Sequence, residues 1–255
     1  MKTVDVNGMV IGVGNPKICV PVFGKNEVEI LEAAGAVPEE ADLVEFRLDY
    51  YEDCMNLELV ETVIDMLKKQ IAKPLLVTLR TKTEGGEIDI SNPVYCDYVL
   101  ELLKLSGYEL VDIELFQAGE KIDTLIESAH LHNKKVIMSN HDFKKTPRKE
   151  ELMIRLLQME HLGADIAKIA VMPESVEDLL TLLEVTNLVS KQYAHIPIVT
   201  MSMGAIGVLS RLTGKIFGSA MTFGMAGEAS APGQIDAKEL HKFLELFGGY
   251  TTTGK

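Results

Sequence analysis

Eight short apolar runs, most of them separated by stretches with helical spacing, dominate this chain. The runs are Ile18–Val22, Leu43–Arg47, Leu75–Arg80, Leu110–Glu114, Lys135–Ser139, Ile166–Ala170, Ile198–Met201 and Ile216–Ala220, each of strand length. Between them, apolar residues recur at steps of three and four: Leu57, Val60, Val63, Ile64 and Leu67, then Val99, Leu102 and Leu103, then Ile122, Leu125, Ile126 and Ala129. Leu152, Leu156, Met159 and Leu162 continue the pattern, as do Val176, Leu179, Leu180 and Leu183, and finally Ala237, Leu240, Phe243, Leu244 and Phe247 before Gly248-Gly249. Such periods predict helices, and the glycine pair predicts a stop. Alternating strands and helices without a long linker favour a closed (β/α)8 TIM barrel, an α/β fold that commonly needs about 250 residues. This chain has 255.

An open doubly wound sheet is the competing arrangement. Against it, Gly12-Val13-Gly14 precedes the first barrel strand and lacks the third glycine of a dinucleotide fingerprint, and no phosphate-loop lysine motif occurs. Thr3–Val6 and Met9–Gly12, turning at Asn7-Gly8, predict a short N-terminal β-hairpin within residues 1–14. With no internal repeat or composition break, residues 1–255 read as a single catalytic barrel domain.

A net charge of −13 argues against nucleic acid or an anionic membrane surface as the main partner. A small anionic substrate then needs local arginines, and the chain has only five. Three of them, Arg47, Arg80 and Arg211, lie at comparable places near strand ends or in the glycine-rich last third. Cys19, Cys54 and Cys96 form an odd set without close spacing, which favours a reducing compartment over a disulfide scaffold. The N-terminal segment, with Asp5 and Asn7, lacks a signal peptide's apolar stretch, and no run reaches 18 apolar residues. The expectation is a soluble cytoplasmic protein.

Lys168 is the most unusual residue, a lysine inside the apolar run DIAKIAV. An unpaired ammonium beside Ile166, Ile169 and Val171 is costly, so a depressed pKa and a nucleophilic amine are expected there. His141 ends another apolar run and is placed to move a proton near neutral pH. In Glu45-Phe46-Arg47-Leu48-Asp49, a strand's two-residue period puts three charged groups on one face. Taken singly these are also what a salt-bridged barrel rim contains. Arg80 followed by Glu84, on a turn with Gly85-Gly86, repeats the theme and favours a site.

Arg211 sits in a glycine-rich stretch and has the fork that grips a carboxylate. A small-residue loop at 227–235, carrying Ser230 and Gln234, is suited to close over a barrel mouth as a lid. Phe143, Met201, Met203 and Phe223 are candidate apolar walls. No cluster has metal-ligand spacing. Lysine, histidine and carboxylates without a metal fit carbonyl chemistry through an imine. That chemistry supports elimination of water or carbon–carbon cleavage, and spacing does not choose between them. A noncatalytic metabolite-binding protein is a further alternative, though a lysine opposite a histidine adds little to simple binding.

EFRLDY, TLRTKTEGGE, SNHDF, AKIAVMP, LSRLTGKIFGSAMTFG and SAPGQI, in this order, resemble the type I 3-dehydroquinate dehydratases of the shikimate pathway over essentially the whole chain. The resemblance implies that Lys168 forms an imine, that His141 is general acid and base, and that Glu84 orients it. It implies that Glu45, Arg47 and Arg80 serve the substrate hydroxyls and the polar network, that Arg211 clamps the substrate carboxylate, and that Ser230 and Gln234 close from the lid. The implied reaction converts 3-dehydroquinate to 3-dehydroshikimate and water by syn elimination, with no metal or nucleotide cofactor, in a homodimer. A class I aldolase-like lyase is the nearest alternative. Some relatives carry serine where this chain has Pro21, a peripheral departure.

Overall fold

The computed structural model describes residues 2–251, with side chains through residue 248. It opens with an antiparallel hairpin of β1 (Val4–Val6) and β2 (Met9–Ile11). Asn7 and Gly8 both take positive φ, 52° and 89°, as a two-residue turn matching strand twist requires. Units follow in sequence: β3 (Lys17–Val22), α1 (Glu27–Gly35), β4 (Leu43–Arg47), α2 (Leu57–Gln70), β5 (Leu75–Thr78) and α3 (Asn92–Leu102). Next come β6 (Leu110–Glu114), α4 (Leu115–Ala118), α5 (Ile122–Leu131), β7 (Lys135–Asp142), α6 (Lys149–His161), β8 (Ile166–Val171) and α7 (Val176–Leu188). The chain finishes with β9 (Ile198–Ser202), α8 (Gly204–Leu212), α9 (Gly214–Phe217), β10 (Met221–Met225), β11 (Ile235–Asp236) and α10 (Ala237–Thr251).

Strands β3 to β9 pair in parallel in chain order, and β10 pairs with β3. The circle closes between β9 and β10 through the Ile198–Ser219 bridge and the Ala220 N–H, which donates to the Ile198 carbonyl at 2.8 Å. The short β11 extends β10 on the rim.

Period-two alternation sorts the strand side chains into two cores. Phe46, Val77, Ile113, Met138 and Ile169 face the helices and meet residues such as Ile64, Leu102 and Leu156. Cys19, Leu43, Leu76, Leu110, Ile137, Ile166, Val199 and Met221 fill the barrel, where Val4, Val6 and Ile11 of the hairpin join them. Each such side chain contributes roughly 1.5–3 kcal/mol from burial. That apolar floor leaves the next inward positions along the strands for polar groups. Helix α2 shows why the outer layer forms: Asn56 caps it by accepting from Glu58 and Leu59, and Val60, Val63, Ile64 and Leu67 are its buried stripe.

Several sequence expectations need correction. The eighth strand is Met221–Met225, not Ile216–Ala220: Ile216 lies in α9, which Gly218 ends with φ 103°. A short apolar run does not by itself distinguish strand from buried helix. The glycine-rich stretch after β9 is largely helical, as α8 and α9. Helix α10 does not stop at Gly248-Gly249 but reaches Thr251. Gly248 serves close approach there, since a Cβ would lie 2.5 Å from Asn15 Oδ1. Strand β7 runs through His141 instead of ending before it, and β5 ends before Arg80. Helix α1, capped by Asn26, lies outside the helical stripes read from the sequence. No helix among the described residues is long and apolar enough to cross a membrane.

Candidate active site

One cavity of about 490 Å³, measured to its open mouth, lies at the C-terminal end of the barrel strands. Its lining includes the residues that the sequence proposed as catalytic, substrate-binding or wall groups. The polar set is Glu45, Arg47, Arg80, Glu84, His141, Lys168, Arg211, Ser230 and Gln234, and the walls are Phe143, Met201, Met203 and Phe223.

Lys168 and His141 come from neighbouring strands. Ser139 of β7 pairs with Lys168 of β8, and His141 pairs with Ala170 two positions further toward the mouth. The two-residue repeat then places the imidazole one step above the amine on the same inner face. Lys168 is 3 % exposed, and its Nζ lies 4.5 Å from the Phe223 ring centroid. The ammonium is not the unpaired group expected from the sequence, because Nζ donates to Asp112 Oδ2 at 3.1 Å. Burial is tolerated through that partner.

Asp112 is the hub. Besides Lys168 it receives Arg80 Nη2 at 2.8 Å and the Ser139 hydroxyl at 2.6 Å. Burial would push its carboxyl up, but Arg80 first, then Lys168 and the Ser139 bond, hold it below the usual carboxylate range. Arg80 Nη1 reaches Glu114 Oε1 at 2.8 Å, Ser139 Oγ at 3.0 Å and Glu84 Oε2 at 3.7 Å. Its fork is therefore committed to protein carboxylates. Arg47 is likewise forked onto Asp49, at 2.8 and 2.7 Å. Asp49 is not in the strand as expected but on the 3-10 turn Leu48–Tyr50, from which it also accepts the Arg80 and Glu87 amides. Glu45 accepts from Thr78 at 2.9 Å.

Glu84 holds His141 twice. Its Oε2 lies 2.9 Å from the His141 backbone N–H and 2.9 Å from Nδ1. The turn after Glu84 depends on Gly85, whose φ is 83° and where a Cβ would lie 2.2 Å from the Phe143 ring. Burial, with Glu114 beside it, pushes the Glu84 carboxyl up to about 8 against the pull of Arg80 and Asn140. Burial first, then the cations Arg80, Lys168 and Arg47, drives His141 well below the ordinary imidazole value. Near neutral pH the pair therefore shares one proton. With Nδ1 turned to Glu84, Nε2 is the nitrogen left for a ligand.

Arg211 differs from the other arginines. It is 1 % exposed, its Nη2 donates to the Pro232 carbonyl at 3.1 Å, and its Nε has no partner. Among the described residues no carboxylate pairs with it. Burial lowers its pKa to about 10, still well protonated at neutral pH. A buried guanidinium with no carboxylate partner on a cavity wall is chemically suited to grip an anion. Ser230 and Gln234 complete the rim, bonded to each other through Ser230 N–H to Gln234 Oε1 at 2.8 Å.

The sequence reading missed Asp112, Glu114 and Ser139. Their signal was present: VDIE carries acids two apart in a strand, the same pattern that drew attention to Glu45 and Arg47. Pro21, beside Glu45 in register, does not line the cavity.

The closed barrel and its polar mouth define an enzyme of the (β/α)8 class. A family model for type I 3-dehydroquinase matches residues 18–251. A 3-dehydroquinate dehydratase of Listeria welshimeri is 50 % identical over 248 residues, covering 96 % of this chain and 98 % of the relative. Another, of Clostridioides difficile, is 48 % identical over 247 residues, covering 96 % and 97 %. Among solved structures, a type I 3-dehydroquinate dehydratase from Clostridium difficile with covalent modified comenic acid superposes with a TM-score of 0.94 at 47 % identity, covering 98 % of this chain and all of that one. The Enterococcus faecalis enzyme gives 0.89 at 44 %, covering 96 % and 99 %. This chain belongs to the type I 3-dehydroquinase family.

Proposed function

We propose that this chain dehydrates 3-dehydroquinate to 3-dehydroshikimate through an imine on Lys168, with His141 as the proton shuttle. The observation that carries the reading is the joint placement of Lys168, His141 and the unpaired Arg211 on one cavity. Arg211 takes the substrate carboxylate, which turns the C3 ketone toward the amine. Lys168 Nζ, after giving up a proton, adds to that carbon and water leaves. The resulting iminium is an electron sink, and Asp112, 3.1 Å from Nζ, is its counter-ion. His141 Nε2 removes the pro-R C2 proton, and Glu84 stabilises the imidazolium. The electron pair then expels the C1 hydroxyl, which leaves with that proton as water. Hydrolysis of the conjugated imine consumes one water and frees product and lysine, so one water is released overall.

Glu45, Arg47 and Arg80 shape the hydroxyl-binding side, and residues 227–235 close over the mouth with Ser230 and Gln234. Residues 1–255 act as one catalytic domain, without metal or nucleotide, as a homodimer in the cytoplasm. These parts rest on the family resemblance.

Incubation with 3-dehydroquinate, ultraviolet detection of the enone, and borohydride reduction read by intact mass test the reading together. Lys168→Ala is expected to give no adduct and no product. His141→Ala is expected to give the adduct without turnover. An adduct on another lysine, or products of carbon–carbon cleavage, would overturn the assignment.

A further inference from the structure

Arg155 lies outside the cavity lining, on α6, yet a continuous run of polar contacts joins it to His141. Three anchors hold it. Nη2 donates to Glu151 one turn earlier, the guanidinium carbon stands 5.3 Å from the Phe116 ring centroid, and Nη1 donates to Asn140 Oδ1 at 2.6 Å. A guanidinium carries only donors, so the amide oxygen of Asn140 is the end that must face it. The amide nitrogen is then turned inward, where it donates to Glu84 Oε1 at 3.1 Å. The other oxygen of Glu84 accepts from His141.

We propose that Arg155 is a positioning residue for the reaction: it locks the Asn140 amide so that Glu84 always meets a donor on Oε1 and stands as the carboxylate partner of His141 when the imidazole takes the C2 proton. This rests on the proton-shuttle role given to His141 above. Without Arg155 the amide is free to turn over and present Oδ1 to Glu84. Only a protonated carboxyl tolerates that contact. With that proton committed to Asn140, Glu84 is neutral and no longer stabilises the imidazolium that forms when His141 takes the C2 proton. The remaining charged groups around the pair are Arg80 just beyond β5, Asp112 and Glu114 on β6, Lys168 on β8 and Arg47 on β4. None of these hydrogen-bonds Asn140, whose side-chain partners are Glu84 and Arg155.

The test is the pH profile of kcat/KM for 3-dehydroquinate in Arg155→Met, which retains an apolar stem beside Phe116, and in Arg155→Lys, which retains a donor. In Arg155→Met the acid limb is expected to move up by about one pH unit, with about a ten-fold loss at neutral pH. Borohydride trapping at Lys168 should persist, and Arg155→Lys should recover most of the loss. A profile parallel to the wild type at every pH, or an equal defect in both variants, would overturn the proposal. Asn140→Leu removes the same donor without substituting any residue of α6 and should shift the limb alike. It decides the matter if Arg155→Met does not fold, and an unshifted limb in it overturns the proposal. Absence of a Lys168 adduct in the wild-type enzyme would instead reject the imine reading, an outcome read separately from the limb shift.

Discussion

Lys168 Nζ and Asp112 Oδ2 stand 3.1 Å apart within the barrel, both side chains nearly sealed from solvent. The pair explains how a lysine is kept on an inner strand face without leaving a bare charge there. In the proposed reaction Asp112 plays two parts, pairing with the resting Lys168 amine and facing the iminium that would drive elimination. Arg80, sharing Asp112, moderates both effects.

Asp112→Asn should therefore destabilise the fold and slow turnover while permitting imine formation. Removing one partner of a buried pair costs about 3–5 kcal/mol, and here both Arg80 and Lys168 lose a counter-charge. The carboxyl is depressed in the folded state, so its stabilisation is full above the unfolded pKa, about 3.9, and is lost as pH falls through the folded value. Urea unfolding at pH 7 and at progressively lower pH should show a gap between wild type and variant that narrows on acidification. A constant gap would count against the ion-pair account.

Glu84 and His141 make opposite contributions to stability. Glu84, pushed up to about 8, binds a proton in the folded state that the unfolded chain releases near 4.5, so stability falls as pH rises between these values. His141, held below its ordinary 6.5, does the reverse up to that pH. The two offset one another at acid pH and leave the Glu84 contribution alone from 6.5 to 8, about 2 kcal/mol. Unfolding free energy should decline over that interval in the wild type, and Glu84→Gln should flatten it. A decline of the same size in Glu84→Gln would assign it to another group.

Arg211→Lys keeps the charge but loses the two-pronged grip. Among the described residues the partners of Arg211 are the Pro232 carbonyl and, weakly, Met201 Sδ 3.8 Å from Nη1, so the guanidinium keeps donors for a carboxylate. A loss of roughly 2–5 kcal/mol in transition-state binding is expected, read from kcat/KM. Borohydride adducts at saturating substrate should survive the change. Unaltered kinetics would remove Arg211 from the carboxylate site.

The barrel was legible because most strand runs and helical stripes obey their periods without interruption, as Val60 to Leu67 and Ile166 to Val171 illustrate. The reading slipped where composition is locally ambiguous. Ile216 to Ala220 is apolar and short, yet it begins in α9, breaks at Gly218 and meets the barrel's closing edge only at Ser219 and Ala220. At the site, Lys168 and His141 stood out by residue type on an apolar background. Asp112 and Arg155 did not, because their importance lies in partners distant in sequence: 56 residues separate Asp112 from Lys168, and 15 separate Arg155 from Asn140. No local pattern encodes which carboxylate an inward lysine will meet.

Two glycines of the 227–235 loop separate docking from backbone strain. Gly233 has φ 78°, and a Cβ there would lie 2.5 Å from the Gly204 carbonyl oxygen and 3.0 Å from two more backbone atoms of that residue. The same contact region holds the Pro232 carbonyl, which accepts from the Gly204 N–H at 3.2 Å and from Arg211 at 3.1 Å. Gly227 has a comparable φ of 91° but nothing within 4 Å of a Cβ. Both alanine variants carry the same left-handed penalty, roughly 1–2 kcal/mol. Gly233→Ala must in addition push the loop off the start of α8 and carry Pro232 away from Arg211. It is expected to lower kcat/KM about ten-fold more than Gly227→Ala, mostly through KM. Thermal unfolding midpoints of the two should agree within about 2 °C, since 1 kcal/mol shifts a domain of this size by roughly 2–4 °C. Equal kinetic defects would mean that loop strain alone matters and that contact with α8 does not seat the loop over the substrate.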